Sequence, residues 1–279
     1  MLDEKTVFDK YIVPFKLVEQ FNLKCGYEKS FKLLDRQLLP NRYLLAISKA
    51  DLDQEKLEVI CREMNMPENF LRDFQDNLAD ANLILLGFEE NRNNCVFKIY
   101  LEFWDKFLKG MRQRTDKTVP GLLFLGFKWD VLDNTKAAIT KYTCYPKLTA
   151  EGILKRMSAL YHSHEDKKSF EIAGKIINLA ASRVDPTSFR YLEAGEENNP
   201  RKSFDINFYS ANLRIRNLSP MLSELGRHYL IPNQEFNHLY RRVNTEIFGH
   251  LSGGIDRDGQ DFLTVYYEVG EKSENENDA

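Results

Sequence analysis

Cysteine is scarce and scattered. The four in the chain, Cys25, Cys61, Cys95 and Cys144, include no C-x-x-C pair. Cys61 and Cys95 fall on apolar faces, so free, buried thiols in a reducing cytoplasm are the expectation. An excess of positive charge is also missing. Lys and Arg number 39 against 42 Asp and Glu, a net charge of -3, so nothing draws the chain to nucleic acid or an anionic membrane. No apolar run approaches a membrane span, and Met-Leu-Asp-Glu-Lys at the N-terminus lacks the basic and apolar regions of a signal peptide.

The familiar catalytic motifs are absent too. Gly249, Gly253 and Gly254 make neither a GKS/T loop nor a G-x-G-x-x-G turn, and no G-x-S-x-G elbow occurs. His162-Ser163-His164 puts two imidazoles at i, i+2, off a shared helix face, which argues against zinc. Asp256-Arg257-Asp258-Gly259 lacks the third oxygen ligand and the closing Glu of a calcium loop, and a hairpin turn explains it.

What the sequence does hold is alternation. From Asn94 to Trp104, Phe97, Ile99, Leu101 and Phe103 are apolar, with Lys98, Tyr100 and Glu102 between them. A period of two makes a strand with one apolar and one polar face. The pattern recurs in pairs. The spacing predicts hairpins over Lys29–Asp35 and Arg42–Lys49 with a turn at Pro40-Asn41, then Leu83–Glu89 and Cys95–Trp104, then Leu122–Asp130 and Lys136–Tyr145. Two more follow, Thr187–Ala194 with Lys202–Tyr209, and Phe248–Ile255 with Phe262–Val269.

Amphipathic helices are predicted between them: Phe15–Phe21, Gln54–Met64, Pro67 to Ala81, Asp105–Arg112, a Thr149-capped helix, Phe170–Ser182, one begun by Ser219-Pro220 as N-cap and N1, and Asn233–Ile247. Strand-strand-helix order points to an α+β protein, five ββα units closing a ten-stranded antiparallel barrel with helices outside. Two separate α+β sheets are the alternative. Residues 1–270 read as one domain and 271–279 as a disordered acidic tail.

With the apolar faces turned out to the helices, the lumen collects Arg42, Lys98, Tyr100, Glu102, one face of the third hairpin, Asn207, Tyr209 and Tyr266. Basic groups converging with tyrosine hydroxyls suit a compact anion such as diphosphate. Tyrosine π faces stabilise a nearby carbocation. Together they suit ionising an allylic diphosphate away from water. A polar, non-catalytic interior has the same pattern.

Lys32-Leu-Leu-Asp35, Asn41-Arg-Tyr-Leu-Leu45, Phe97-Lys-Ile-Tyr100, Leu125-Gly-Phe-Lys-Trp129 and Val265-Tyr-Tyr-Glu268, in that order over about Phe15 to Val269, resemble the αββα (ABBA) prenyltransferases, most of all the peptide prenyltransferases of cyanobactin biosynthesis. The resemblance implies an isoprenyl donor (dimethylallyl or geranyl diphosphate), Mg2+ assistance, and a side chain of a ribosomally made, often macrocyclic, peptide as acceptor. A cytoplasmic monomer is expected. Carried over, the diphosphate-binding positions are Arg42, Lys98, Tyr142 and Tyr209, with Tyr100 where the family often has His or Tyr, and Tyr266 in addition. The family places a Glu on the first strand of hairpin one, where Leu34 stands; Asp35 beside it should face the other way. Glu102 is then the candidate base. A small-molecule aromatic prenyltransferase and a non-catalytic homologue that only binds peptide are the alternative functions.

Overall fold

The structure, a computed structural model, describes residues 4–91, 94–162, 164–197, 199 and 201–268. The expected tail at 271–279 lies outside them. Ten strands form one closed antiparallel barrel in which sequence neighbours pair throughout and the last strand returns to the first. They are β1 (Cys25–Leu34), β2 (Gln37–Ser48), β3 (Leu83–Glu90), β4 (Cys95–Glu102), β5 (Gly121–Asp130), β6 (Ala137–Tyr145), β7 (Arg190–Glu196), β8 (Lys202–Asn207), β9 (Ile247–Ile255) and β10 (Asp261–Glu268). Among the described residues closure leaves no second sheet and no free edge, so the two-sheet alternative is overturned.

Helices lie between the hairpins: α1 (Glu4–Tyr11) and α2 (Val13–Gln20) before the barrel, α3 (Gln54–Glu63) and α4 (Glu68–Leu78) after hairpin one, α5 (Trp104–Gln113) after hairpin two, α6 (Ala150–Leu160) and α7 (Lys168–Ala181) after hairpin three, α8 (Ser219–His228) and α9 (Asn233–Val243) after hairpin four. Asp53 caps α3 through the Lys56 N–H at 2.8 Å, and Thr149 caps α6 through the Gly152 N–H at 3.1 Å.

Alternation sets the packing. Phe97, Ile99, Leu101 and Phe103 are all at most 2% exposed and pack with Tyr43, Leu45, Ile47, Leu86, Phe88 and Phe127 beneath Leu57, Ile60, Cys61, Phe70 and Phe74 of α3 and α4. A second apolar mass joins Phe31, Leu33, Tyr191, Phe204, Ile206, Leu251 and Val265 to α6, α7, α8 and α9. The core is therefore a sleeve between barrel and helices. Polar side chains are left to fill the centre.

Several boundaries moved for identifiable reasons. Hairpin one turns at Asp35-Arg36, where Arg36 has φ 53°. Pro40-Asn41 lies inside β2, because the register steps from Ser30↔Arg42 to Lys32↔Leu39 and so leaves an extra residue on β2. Such a bulge accommodates a proline that cannot donate to the ladder. The N-terminal segment forms two helices rather than one. Ser219 is the first helical residue and Leu218 the N-cap, because a preceding 3₁₀ turn supplies the entry. The helix ending at Val243 stops short of Ile247, which opens β9 and pairs with Glu268 of β10. Tyr209 lies beyond β8, in a 3₁₀ turn, because the Phe208 N–H reaches the Gly249 carbonyl at 2.7 Å and the ladder ends there. Cys61, Cys95 and Cys144 are buried free thiols; Cys25 is exposed. Among the described residues no helix is long and apolar enough to cross a membrane.

Trp129 ties the sleeve together: 1% exposed on β5, it donates its indole N–H to the Met64 carbonyl between α3 and α4 at 2.9 Å. Trp129→Ala should cost about 3–5 kcal/mol of stability. Trp129→Phe should cost less, with about 1 kcal/mol from the lost hydrogen bond. Urea unfolding of both variants checks the order.

Candidate active site

The inward faces make two chambers that meet at a shared layer. The first, about 590 Å³, is lined among others by Lys32, Arg42, Glu89, Lys98, Lys128 and Arg201. The second, about 290 Å³, is lined by Glu28, Glu102, Arg190, Asn207, Tyr209 and His250, with Leu44, Ala46, Leu83 and Leu85. Tyr100, Tyr142, Asp205 and Tyr266 line both.

Register places the basic groups of the first chamber. Arg42 on β2 stands opposite Glu89 on β3, and Lys98 on β4 directly opposite Lys128 on β5. Glu89 accepts from Arg42 Nη2 at 2.9 Å and from Lys98 Nζ. Burial alone would push the Glu89 carboxyl up, but Arg42, Lys98 and Lys32 hold it well below the usual range. Arg201 pairs separately with Glu196 at 3.2 Å, and the one carboxylate of Glu89 does not saturate the remaining cations. Arg42, 6% exposed, keeps Nε and Nη1 buried and without a hydrogen-bond partner. Burial lowers Lys98 to about 8 against the pull of Glu89, and lowers Lys32 to about 8 with Arg42 adding to it. Burial, then Arg201 and Lys98, push Lys128 well below its normal value. Like charges facing across a ladder are destabilising; an anion bound here would relieve that.

The shared layer is aromatic. The Tyr100 and Tyr142 rings meet edge to face at 5.8 Å, and Lys128 Nζ lies 5.9 Å and 5.4 Å from their centres. Lys128 also donates to the Tyr142 hydroxyl at 3.0 Å. Burial raises the Tyr100 phenol well above normal and Tyr142 to about 12, so both remain neutral hydroxyls with electron-rich faces. Gly126 makes room for them: a Cβ there would stand 2.7 Å from the Tyr100 ring and 3.3 Å from that of Tyr142.

In the second chamber Glu28, on β1, accepts from the Tyr209 hydroxyl at 2.6 Å. His250 sits between two carboxylates, Nδ1 at 2.9 Å from Asp205 and Nε2 at 3.7 Å from Glu28. Its Nε2 lies 3.0 Å from the Asn207 amide nitrogen. Burial would lower the imidazole pKa, but Glu28 and Asp205 together raise it to about 9. Burial raises Glu28, only partly offset by His250 and Tyr209. Gly249 leaves the space this contact needs, since a Cβ there would lie 2.5 Å from the Tyr209 hydroxyl and 2.7 Å from Glu28 Oε1.

The sequence-predicted residues divide between the chambers. Arg42 and Lys98 line the first, Tyr100, Tyr142 and Tyr266 the boundary, and Glu102, Asn207 and Tyr209 the second. Asn207 and Tyr209 therefore lie on the far side of the tyrosine layer from the lysines. Leu34 lines neither chamber, and the carboxylate that β1 turns inward is Glu28. Glu28 lies one residue outside the predicted hairpin one, which starts at Lys29; the alternation continued back from Lys32 through Ser30 reaches it. Lys32, Glu89, Lys128, Arg201, Asp205 and His250 were not singled out either. Lys128 and Asp205 sat on faces already marked polar, whereas Arg201 precedes β8 and carried no periodic signal.

Mg2+, which the resemblance implies, meets an unsuitable donor set. Glu89 is engaged by two cations and Asp205 by His250. Asp130 accepts the N–H groups of Leu132 and Asp133, and Asp256 those of Asp258 and Gln260. Mg2+ favours uncommitted oxygen ligands in octahedral array, and here lysine and arginine occupy the position of the counter-charge.

Comparison with solved structures gives the same barrel each time. The chain is similar to 5-dimethylallyltryptophan synthase from Streptomyces coelicolor (TM-score 0.56, 14% identity, covering 88% of this chain and 81% of that one). It is similar to 6-dimethylallyltryptophan synthase from Micromonospora olivasterospora, solved in complex with DMASPP and Trp (0.57, 14%, 87% and 81%). It is also similar to AnaPT from Neosartorya fischeri (0.52, 13%, 87% and 78%). No family model and no curated protein matches the sequence. The fold is that of the ABBA prenyltransferases.

An anion should bind the first chamber best while its lysines are charged. Affinity for inorganic diphosphate, measured calorimetrically, should fall as pH rises through about 8, the value of Lys98 and Lys32. Each lost charge should remove about 1.5–3 kcal/mol. Affinity that rises over the same interval would place the anion elsewhere.

Proposed function

We propose that this protein transfers an isoprenyl group, dimethylallyl or geranyl, from its diphosphate to a side chain of a ribosomally made peptide, working as a cytoplasmic monomer. One observation carries the reading. Arg42 holds two buried nitrogens without a partner among the described residues, in one chamber with the facing pair Lys98 and Lys128 and with neutral tyrosine rings. Such cationic crowding fits the diphosphate of the donor, and the rings fit a cation formed as it departs.

The steps follow from the geometry. Arg42, Lys98, Lys128 and Arg201 receive the diphosphate, and they gain most as the C–O bond breaks and charge collects on the leaving oxygen. Tyr100, Tyr142 and Tyr266 screen the allylic cation from water and bound the space through which the acceptor reaches it. Glu28, made more basic by burial, takes the acceptor's proton; Tyr209 and His250 hold its carboxylate in place. Glu102 lies in the same chamber and contacts the acceptor rather than the donor. Magnesium is given no step. A peptide acceptor is supported by the second chamber's rim, where Gly26 and Glu268 are exposed to solvent. A chain too large to enter can present one side chain there.

Lys98→Ala should lower kcat/KM by about a hundredfold or more, and Glu28→Gln should slow single-turnover transfer while donor affinity is kept. EDTA should leave the rate unchanged. Transfer from radiolabelled dimethylallyl diphosphate to a macrocyclic peptide is the assay. Wild-type turnover in Lys98→Ala would put the chemistry elsewhere, and a rate abolished by EDTA would restore the metal.

A further inference from the structure

The second chamber holds one group that the mechanism leaves unexplained. Glu102 is 8% exposed, yet among the described residues its carboxylate accepts no hydrogen bond. The nearest cation, Arg190, stays 3.7 Å away with its guanidinium over the Trp104 ring at 4.5 Å. The carboxylate oxygens stay open to the chamber, so a group that donates can reach them there. Tyr209 and His250 serve Glu28 instead, and Asp205 is taken by His250.

The wall beside Glu102 is apolar. Leu44 and Ala46 on β2 and Leu83 and Leu85 on β3 line the chamber, and these strands run between β1, which carries Glu28, and β4, which carries Glu102. An aliphatic surface flanked by two carboxylates matches a side chain with an alkyl stem and a cationic nitrogen head. A flat aromatic acceptor would use the wall but leave Glu102 short of donors, since an indole brings one N–H and a phenol one O–H.

Resting on the prenyl-transfer reading, we propose that the acceptor is a cationic nitrogen side chain, a guanidinium or an ammonium, with Glu102 as the carboxylate that receives its N–H groups. The donor's C1–O bond breaks with its electron pair leaving on diphosphate. The acceptor nitrogen gives one proton to Glu28 and forms the C1–N bond with the freed pair. The product keeps its positive charge, and one proton is released for each transfer. Glu102 neither gives nor takes a proton in this scheme. It is a binding residue for the acceptor, and a positive head would be selected over a neutral one of similar size.

The test is a set of macrocyclic peptides identical except for one residue, Arg, Lys, Tyr or Trp, each incubated with dimethylallyl diphosphate and read by mass spectrometry. The Arg or the Lys peptide should be modified about tenfold or more faster than the Tyr and Trp peptides, and which of the two leads identifies the head group. Preference for Tyr or Trp overturns the inference and leaves prenyl transfer standing. If no peptide is modified, calorimetry decides: cationic peptides that bind no tighter than neutral ones overturn it. Absence of any affinity for diphosphate overturns the prenyl-transfer reading itself. In Glu102→Gln, KM for the cationic peptide should rise about tenfold or more with a smaller change in kcat, and Glu102→Asp should recover part of it. Diphosphate affinity reports that each variant is folded. An equal rise in KM for neutral peptides overturns the charge role.

Discussion

Glu89 is the counter-charge around which the lumen is arranged. The barrel turns its apolar faces outward, so the polar faces of ten strands must coexist in a confined space where charges are poorly solvated. A carboxylate clasped by Arg42 and Lys98 lets two cations share one dry wall. It does so incompletely: Arg201 is held by Glu196 at 3.2 Å, but among the described residues Lys32 and Lys128 make no ion pair. Without Glu89 the cations would repel one another with nothing to hold them. Seven Lys and Arg side chains line this chamber against five Asp and Glu, and that excess of base leaves room for an anion.

The same economy shows in the tyrosine layer. Tyr100 can lie across β5 only because Gly126 has no side chain, and the ring then meets Tyr142 from the next strand. Aromatic walls built on adjacent strands are held by the ladder, not by loops, which fixes their position to the register. The layer biases the lumen by charge: bases outnumber acids on one side, and on the other Glu28, Glu102, Asp205 and Glu268 outnumber Arg190 and His250. A reaction that begins with an anion leaving and ends with a proton leaving needs opposite electrostatics at its two ends. Antiparallel pairing supplies both within a few residues: on β4, Lys98, Tyr100 and Glu102 pass from one chamber through the layer to the other.

How much of this was legible in the sequence depends on periodicity. Alternation at Phe97 to Phe103 gave both faces of β4, and its recurrence gave five hairpins and the barrel. Where the period was broken, reading failed. The bulge at Pro40 displaced the turn of hairpin one by several residues. The start of β1, with Cys25, Gly26 and Tyr27 ahead of Glu28, offers too few apolar residues to reveal a strand, so the alternation stops short of this inward carboxylate. Pairings across the lumen were invisible in principle. Nothing in a linear pattern says that Glu28 meets Tyr209, because that contact joins β1 to the turn after β8, with β10 and β9 between the two strands around the barrel.

Sequence identity of 14% with a barrel of the same shape follows from this division of labour. Outward positions need only apolar side chains of roughly the right size, and cores tolerate wide exchange within that limit. Inward positions need a particular chemistry, but they occur singly on ten separate strands, two residues apart at the nearest. Neither face produces a contiguous string that a motif could capture. The site is a register, written as one residue per strand per level. It becomes visible only when Ser30, Arg42, Glu89, Val96 and Asp130 are seen as one row, and Leu44, Gly87, Lys98 and Lys128 as the next. A chain of this kind can lose all resemblance along its length and keep its chemistry, provided each strand keeps its phase.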